Sequence, residues 1–263
     1  MHILVTNDDG VHAPGLLALV QALRKLDGKI SILAPDRNWS ASGHVKTLHR
    51  PLRVSETQLE DGTCAWASDG APSDCVALAQ LGFIPEKIDL VVSGINPNAN
   101  IGHDVTYSGT VTAAMEAAIW GIPGIAVSIN PPDEHVGSIE YEHAAEAARR
   151  LVLWLQAQEE IPQNAVLNVN VPYGPLSAMN GFKITRQGLR IYRDELVSRV
   201  DPRGKPYYWI GGEAPSGVEE PGTDYGALLT GFISITPLQL DLTSVKMEAW
   251  MREREFEGGI KVA

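Results

Sequence analysis

Cysteine is scarce in this chain, which has only two in 263 residues. Cys64 and Cys75 form no Cys-x-x-Cys pair and belong to no Cys/His cluster, which argues against a zinc site or a disulfide framework. We expect both thiols to be small core residues. No basic segment followed by an apolar one opens the chain, and no apolar run approaches bilayer length. We therefore predict a soluble, cytoplasmic protein with no membrane partner.

Basic residues are also fewer than acidic ones. The chain has 21 Lys and Arg against 32 Asp and Glu, which gives a formal net charge of −11 and a pI of about 5.1. This balance argues against a nucleic-acid polymer as a partner. It still permits a small anionic substrate, because a bound cation can invert the local field.

Three common signatures of nucleotide and ester chemistry are missing. The chain has no Walker A sequence, because no Gly-Lys-Ser/Thr follows a glycine-rich loop. The turn after the first predicted strand lacks Gly-x-Gly-x-x-Gly, and no Gly-x-Ser-x-Gly elbow occurs. These absences count against an NTPase, a dinucleotide-dependent oxidoreductase and an α/β-hydrolase.

What is present is a regular alternation of strands and helices. Residues 2–6 form an apolar β-branched run, 16–26 have helical spacing and 29–36 form a second apolar run, so they predict a βαβ unit with parallel strands. The same patterns predict further strands at 88–92, 124–129 and 165–172, and further helices at 72–81, 108–120 and 143–158. The chain is therefore predicted to be an α/β protein with a doubly wound sheet.

The last third of the chain has a different pattern. Phe182 to Gly212 interleaves aromatic and charged residues around a turn at 201–204, which predicts a long β-hairpin and an oligomer contact. A strand is expected at 232–238, and a terminal helix at 244–259. An extended segment is also expected earlier, at Thr47–Ser55. We divide the chain into a catalytic part, 1–180, and a C-terminal part for oligomerisation, 181–263, integral to one domain.

Polar residues follow three of the predicted strands. Ligands of open α/β sheets bind outside the carboxyl ends of the strands. The three ends carry Asn7, Asp8 and Asp9; Asp36, Asn38, Ser40 and Ser42; and Ser93, Asn96, Asn98 and Asn100. These oxygen and amide donors suit Mg²⁺, Mn²⁺ or Ca²⁺ better than zinc. Such residues also populate loops for their turn geometry alone, but three ends at one sheet edge, one with paired carboxylates, favour a metal.

A second candidate site lies where the helix at 108–120 begins. Ser108, Gly109 and Thr110 place a glycine between two hydroxyl residues, and the backbone N–H groups of a helix start bind anions. An ordinary helix cap is the alternative explanation. His44 and His103 lie in the candidate loops, where a histidine acts as a proton carrier or as a structural hydrogen-bonder.

Several of these segments together resemble one known family. In order along most of the chain they are ILVTNDDG, APDRNWSASGH, VVSGINPNANIG, DVTYSGTVTAAMEA, TRQG, DPRGKPYYWIGG and TDYGALLTGFISITPL. They resemble the SurE family of metal-dependent 5′-nucleotidases. The resemblance implies a Rossmann-like, mostly parallel N-terminal part and a smaller C-terminal part with a protruding hairpin and an exchanged terminal element. It also implies a homodimer or homotetramer. Trp39 departs from the family pattern at the rim of the site.

The resemblance implies a role for particular residues. One divalent cation per subunit, Mg²⁺ or Mn²⁺, would bind Asp8, Asp9, Ser40 and Asn96. Asp8, Asp9 and Asn96 would thereby be the catalytic residues, and Ser108, Gly109 and Thr110 would contact phosphate. The implied reaction is hydrolysis of nucleoside 5′-monophosphates to nucleoside and phosphate.

Some questions stay open at this point. The sequence does not decide whether 3′-nucleotides or polyphosphate are also cleaved, or whether His44, His103 or a metal-bound water protonates the leaving group. Two other hypotheses compete with the enzyme. A non-catalytic nucleotide-binding module would gain nothing from two carboxylates beside a phosphate, and an assembly protein built around the hairpin would leave the polar strand ends unexplained.

Overall fold

The computed structural model describes residues 1–162 and 164–254. The elements of the first half are β1 (His2–Thr6), α1 (Pro14–Leu23), β2 (Lys29–Pro35), β3 (Val54–Gln58), β4 (Cys64–Ser68), α2 (Pro72–Leu78) and β5 (Leu90–Asn96). Those of the middle are α3 (Gly109–Ile119), β6 (Gly124–Asn130), α4 (Glu142–Gln156) and β7 (Val166–Pro172). The rest are β8 (Phe182–Ile184), β9 (Arg190–Val200), β10 (Pro206–Gly217), α5 (Asp224–Leu229), β11 (Ile233–Leu238) and α6 (Val245–Arg252). A 3₁₀ turn at Gly102–Thr106 precedes α3, and none of the described helices is long and apolar enough to cross a membrane.

Nine strands form the main sheet, in the order β3-β4-β2-β1-β5-β6-β7-β11-β8. The strands from β4 to β7 in this order are parallel, β3 is antiparallel to β4, and β11 is antiparallel to β7. The chain leaves β1 on one side to form β2 and later returns on the other side to form β5. The switch point of the topology therefore lies between β1 and β5, which is where ligands of such sheets bind. The predicted doubly wound, mostly parallel sheet is confirmed.

The central strand β1 is buried on both faces. Ile3 and Val5 pack into a core built with α1 and α4, whereas Leu4 packs into a second core built with α2 and α3. Each such side chain contributes roughly 1.5–3 kcal/mol when it is fully buried. Because helices pack on both faces of the strand, the position of the turn that follows Thr6 is fixed by the core.

The predicted hairpin is present with different bounds. β9 and β10 pair antiparallel with each other and form a separate two-stranded sheet, so the hairpin spans 190–217 rather than 182–212. Phe182–Ile184 instead pairs with β11 at the edge of the main sheet, with Ile184 opposite Ile235. Alternating residues predict a strand but not its partner, which is why the first part was assigned to the wrong sheet.

The edge hairpin of β3 and β4 was not predicted from the sequence. An extended segment was expected at Thr47–Ser55, whereas the ladder begins at Val54 and returns through β4. β3 has the polar sequence VSETQ, so it lacks the apolar signal of a buried strand. Cys64 is exposed in β4, contrary to the core position expected for it, whereas Cys75 is buried as expected.

Most other elements match the prediction. α3 begins after Ser108, whose Oγ accepts a hydrogen bond from the Val111 amide, and Gly121 follows it with φ of +76°. β11 and β8 extend the sheet built by the first 180 residues. α6 covers 245–252 of the helix predicted at 244–259, and residues 255–259 of that prediction lie outside the described residues.

Candidate metal and phosphate site

A tight turn follows β1 and presents the paired carboxylates. Asn7 donates a hydrogen bond from Nδ2 to the Gly10 carbonyl over 2.9 Å, and Gly10 has φ of +103°. That backbone conformation favours glycine. Asp8 is 3% exposed in this turn, and Asp9 is partly exposed. The turn therefore buries one carboxylate at the switch point and leaves the other at its edge.

The N-terminus of α3 packs directly on Asp8. A Cβ added to Gly109 would lie 2.7 Å from the Asp8 Cβ, so only glycine permits this approach. The Thr110 hydroxyl donates a hydrogen bond to Asp8 Oδ1. The first backbone N–H groups of α3 thus face the Asp8 carboxylate. A negative charge is favourable at this end of a helix, because these N–H groups have no partner within the helix.

The paired carboxylates have raised pKa values. Burial raises the pKa of Asp8, although hydrogen bonds from the Thr110 side chain and from the amides at the start of α3 lower it in part. Burial, and then repulsion from Asp8, raises the pKa of Asp9 to about 7. Neither carboxylate forms a salt bridge within 1–162 and 164–254. A bound cation would relieve both effects.

The loop after β2 lies across this turn. The Trp39 amide donates to the Asp8 carbonyl over 2.7 Å, and Asn38 Nδ2 donates to Asp9 Oδ1 over 3.2 Å. Asn38 Oδ1 in turn accepts from the Ser40 amide over 2.7 Å. These bonds hold Ser40 next to the paired carboxylates.

The end of β5 supplies the third group of donors. The register of β5 against β6 shifts between Ser93 and Asn96, and Gly94 lies so close to β6 that an added Cβ would be 2.4 Å from the Val127 carbonyl oxygen. Beyond this shift, Asn170 Oδ1 accepts from the Asn100 amide over 2.8 Å. Asn96 donates from Nδ2 to the Asn98 carbonyl, which leaves its amide oxygen available to a ligand.

These segments enclose a shallow cleft of about 200 Å³ at the carboxyl ends of β1, β2 and β5. Its lining residues are Asp8, Ser40, Ala41, Asn96, Pro97, Asn98, Asn100, Asp104, Tyr107 and Ser108. The structure thus brings Asp8, Ser40, Asn96 and Ser108 together. Thr110 is fully buried under Asp8, and Asp9 and Gly109 adjoin the cleft without lining it.

Two lining residues with functional side chains, Asp104 and Tyr107, were not predicted from the sequence. Asp104 reaches the cleft from the 3₁₀ turn and pairs with Arg190, and Tyr107 is 60% exposed beside it. The segment that contains both was recognised only for its helix start. Because the partner of Asp104 comes from β9, far along the chain, nothing local in the sequence marks this carboxylate.

The two candidate histidines have different surroundings. His44 Nε2 is 2.8 Å from Glu116 Oε2, near the middle of α3, and Lys46 and Trp120 also bond this carboxylate. His103 is exposed. Neither lines the cleft.

Fold and site together define a doubly wound α/β protein with an acidic, oxygen-lined cleft at its switch point. The donors fit a hard divalent cation, since carboxylate, hydroxyl and amide oxygens are the ligands of Mg²⁺ and Mn²⁺. No group of three or more His, Cys, Asp and Glu suited to a metal occurs in the described chain, so this donor set depends on Ser40 and Asn96 as well as on the acids.

Comparisons with known proteins agree on one family. Residues 3–194 match the family described as survival protein SurE. A 5′-nucleotidase SurE of Herpetosiphon aurantiacus is 53% identical over 245 residues, covering 93% of this chain and 94% of the relative. One from Chloroflexus aggregans is 50% identical over 258 residues, covering 98% and 100%. The crystal structure of the SurE protein from Aquifex aeolicus, 40% identical, has a TM-score of 0.78 and covers 97% of this chain and 100% of that chain. The chain belongs to the SurE family.

Proposed function

We propose that the protein is a 5′-nucleotidase, which hydrolyses nucleoside 5′-monophosphates to nucleoside and phosphate with the help of a divalent cation. The observation that carries this proposal is the pair of adjacent carboxylates at the switch point of the sheet, the buried Asp8 and the partly exposed Asp9, for which no described basic side chain forms a salt bridge. Relatives about half identical to this chain are named 5′-nucleotidases, which supports the same activity here.

The oxygens of Asp8, Asp9, Ser40 and Asn96 would hold one Mg²⁺ or Mn²⁺ per subunit. When bound, such an ion supplies positive charge to the phosphoryl oxygens and increases the acidity of water. The chain's own contribution is to fix these oxygens. Thr110 holds the Asp8 carboxylate, and Asn38 bonds both Asp9 and the Ser40 backbone. Because these ligands are already in position, binding of the cation requires little reorganisation of the protein.

The start of α3 would receive the phosphate beside the ion. Ser108 lines the cleft, and Gly109 and Thr110 place the first amides of the helix next to Asp8. A helix start carries partial positive charge and favours an anion. The two carboxylates argue against a binding module without catalysis, because without a cation they would repel phosphate. We assign neither His44 nor His103 to the leaving group, since neither lines the cleft.

Phosphate release tests this proposal directly. The purified protein is incubated with AMP, GMP, 3′-AMP, polyphosphate and p-nitrophenyl phosphate, each with Mn²⁺, Mg²⁺ or EDTA. We expect release from the 5′-nucleotides with the metals and loss of that release in EDTA. Full activity in EDTA would contradict the metal requirement. Equal turnover of every substrate would contradict the specificity for 5′-nucleotides and indicate a general phosphatase.

The hairpin and α6 would form the contacts of a homodimer or homotetramer. Leu196 and Ile210 face each other across the hairpin and are 72% and 84% exposed, and the described part of α6 has no buried residue. Apolar surface of this kind marks protein interfaces. Light scattering should show an oligomer that Ile210→Glu weakens. A monomeric wild-type protein at micromolar concentration would contradict it.

A further inference from the structure

The cleft contains a third carboxylate, and the hairpin supplies its counter-charge. Asp104 lines the cleft from the 3₁₀ turn, and Arg190 at the start of β9 places Nε 2.9 Å from Asp104 Oδ2. The two side chains are only 19% and 15% exposed. Tyr192, two residues further along β9, donates its hydroxyl to the other oxygen, Oδ1. Both oxygens of Asp104 thus face the base of the hairpin.

Arg190 acts on Asp104 mainly through its charge. Its Nε is close to Oδ2 but is not aligned for a hydrogen bond, so the contact is an ion pair. Because both groups are mostly buried, water screens their charges weakly. Asp8, Asp9 and Asp104 would otherwise present three negative charges to an arriving phosphate. Arg190 cancels the one that has no place in the proposed metal site.

The base of the hairpin is tied to the same turn by further bonds. Asp224, fully buried at the start of α5, accepts from the Gly102 amide and from the Gly188 amide, each over 2.8 Å. Gln187 Nε2 donates to the Gly102 carbonyl over 2.9 Å. Both the amide and the carbonyl of Gly102 are therefore hydrogen-bonded. These bonds join the turn that carries Asp104 to the segment that leads to Arg190.

We propose that Arg190 is a positioning residue that neutralises Asp104 and thereby allows a doubly charged phosphate monoester to bind. The base of the hairpin is then part of the substrate site as well as of the proposed oligomer contact. This inference rests on the proposed function, because it assumes that phosphate binds in the cleft. Arg190 acts through Asp104, so it should affect substrate binding more than turnover.

The test removes the charge of Arg190 and then the charge of Asp104. For Arg190→Gln we expect KM for AMP, and the inhibition constant of inorganic phosphate, to rise about tenfold with kcat within about twofold of wild type, because an uncompensated like charge mainly weakens anion binding. Adding Asp104→Asn to Arg190→Gln should bring both constants back toward wild type. A purely structural role of Arg190 would not be rescued by the second substitution.

A matched control comes from the same strand. Arg193 pairs with Glu213 at 3.8 Å on the exposed part of the hairpin and does not line the cleft, so Arg193→Gln should leave KM unchanged. If Arg190→Gln fails to fold, Arg190→Lys keeps the charge and should retain KM within about threefold, since the ion pair does not depend on the guanidinium geometry.

Two outcomes would overturn the inference. An active wild-type enzyme whose KM is unchanged by Arg190→Gln removes Arg190 from substrate binding. A double variant that binds as weakly as Arg190→Gln shows that charge on Asp104 is not the cause. A wild-type protein that releases no phosphate contradicts the proposed function instead. In that case calorimetry with inorganic phosphate still decides whether Arg190 supports anion binding.

Discussion

Two buried carboxylates, one beside α3 and one within it, have opposite surroundings. Asp8 adjoins the start of the helix and Glu116 lies within it, and they are 3% and 2% exposed. Burial alone would raise the pKa of Glu116, but hydrogen bonds from His44, Trp120 and Lys46 lower it below its ordinary range. Asp8 receives only a hydroxyl and helix amides, and its pKa is raised.

The difference distinguishes Glu116, a carboxylate that the chain compensates by itself, from Asp8, a carboxylate that we propose binds a cation. A buried charge is costly unless cations and hydrogen-bond donors compensate it. The chain supplies that compensation to Glu116 from its own side chains. At Asp8 it supplies dipoles and adds a second carboxylate, Asp9, and under the proposed function a bound cation would supply the remaining compensation. Substitutions at or beside either carboxylate test this contrast.

The largest effect is expected from Asp8→Asn. Loss of a charged ligand should lower the rate of AMP hydrolysis about 1000-fold, because the cation would no longer be held against the phosphate. The metal-free variant should be at least as stable as metal-free wild type, since an uncompensated buried charge is removed. Steady-state kinetics and thermal unfolding in EDTA measure the two effects. Wild-type turnover in a folded Asp8→Asn would remove Asp8 from the site.

Thr110→Val tests the support beneath Asp8. The variant keeps the shape of the side chain but loses the hydroxyl that bonds Asp8 Oδ1. Mn²⁺ affinity should fall about 10-fold to 100-fold, as is typical when a residue that orients a metal ligand is removed. Thr110→Ser serves as the control and should bind Mn²⁺ nearly as wild type does. Wild-type affinity in Thr110→Val would mean that the metal site does not depend on the Thr110 hydroxyl.

Glu116→Gln should affect stability and leave the metal site alone. The neutral side chain loses its attraction to Lys46 and His44, which are both exposed, so we expect the free energy of unfolding to fall by about 1 kcal/mol. Urea denaturation measures this loss. Metal affinity and kcat should match wild type because Glu116 does not line the cleft. A lower metal affinity would show that the two carboxylates are coupled through α3.

The smallest effect concerns pH. The pKa of Glu116 lies below its ordinary value of 4.5 in the folded protein. Its charged form therefore stabilises the fold above the unfolded-state pKa, and this contribution is lost as pH falls through the folded pKa. The difference in unfolding free energy between wild type and Glu116→Gln should shrink between about pH 6 and about pH 3. A difference that is constant over this range would contradict the assignment.

The sequence predicted the framework of the site better than its contacts. β1, α3 and the turn at Asp8 have strong local signals, namely an apolar run, a capped helix and adjacent Asn, Asp and Gly residues. The edge hairpin of β3 and β4 was missed because polar edge strands depend on pairing rather than on an apolar pattern.

The remaining contacts of the site join distant parts of the chain. Thr110 was predicted to contact phosphate, and in the structure its hydroxyl bonds Asp8. The phosphate contact itself stays a prediction. The pairs of Arg190 with Asp104 and of His44 with Glu116 join segments that no local pattern connects. Tertiary packing alone decides which charge meets which, and this is why the sequence predicted the adjacent pair Asp8 and Asp9 but neither of these ion pairs.

Calorimetric titration of Mn²⁺ into metal-free wild type, Asp8→Asn and Glu116→Gln tests the contrast between the two carboxylates most directly. We expect wild type and Glu116→Gln to bind one ion per subunit with the same affinity, and Asp8→Asn to show no binding over the same range. Equal binding by all three proteins, or loss of binding in Glu116→Gln alone, would contradict the assignment of Asp8 as a ligand of the cation.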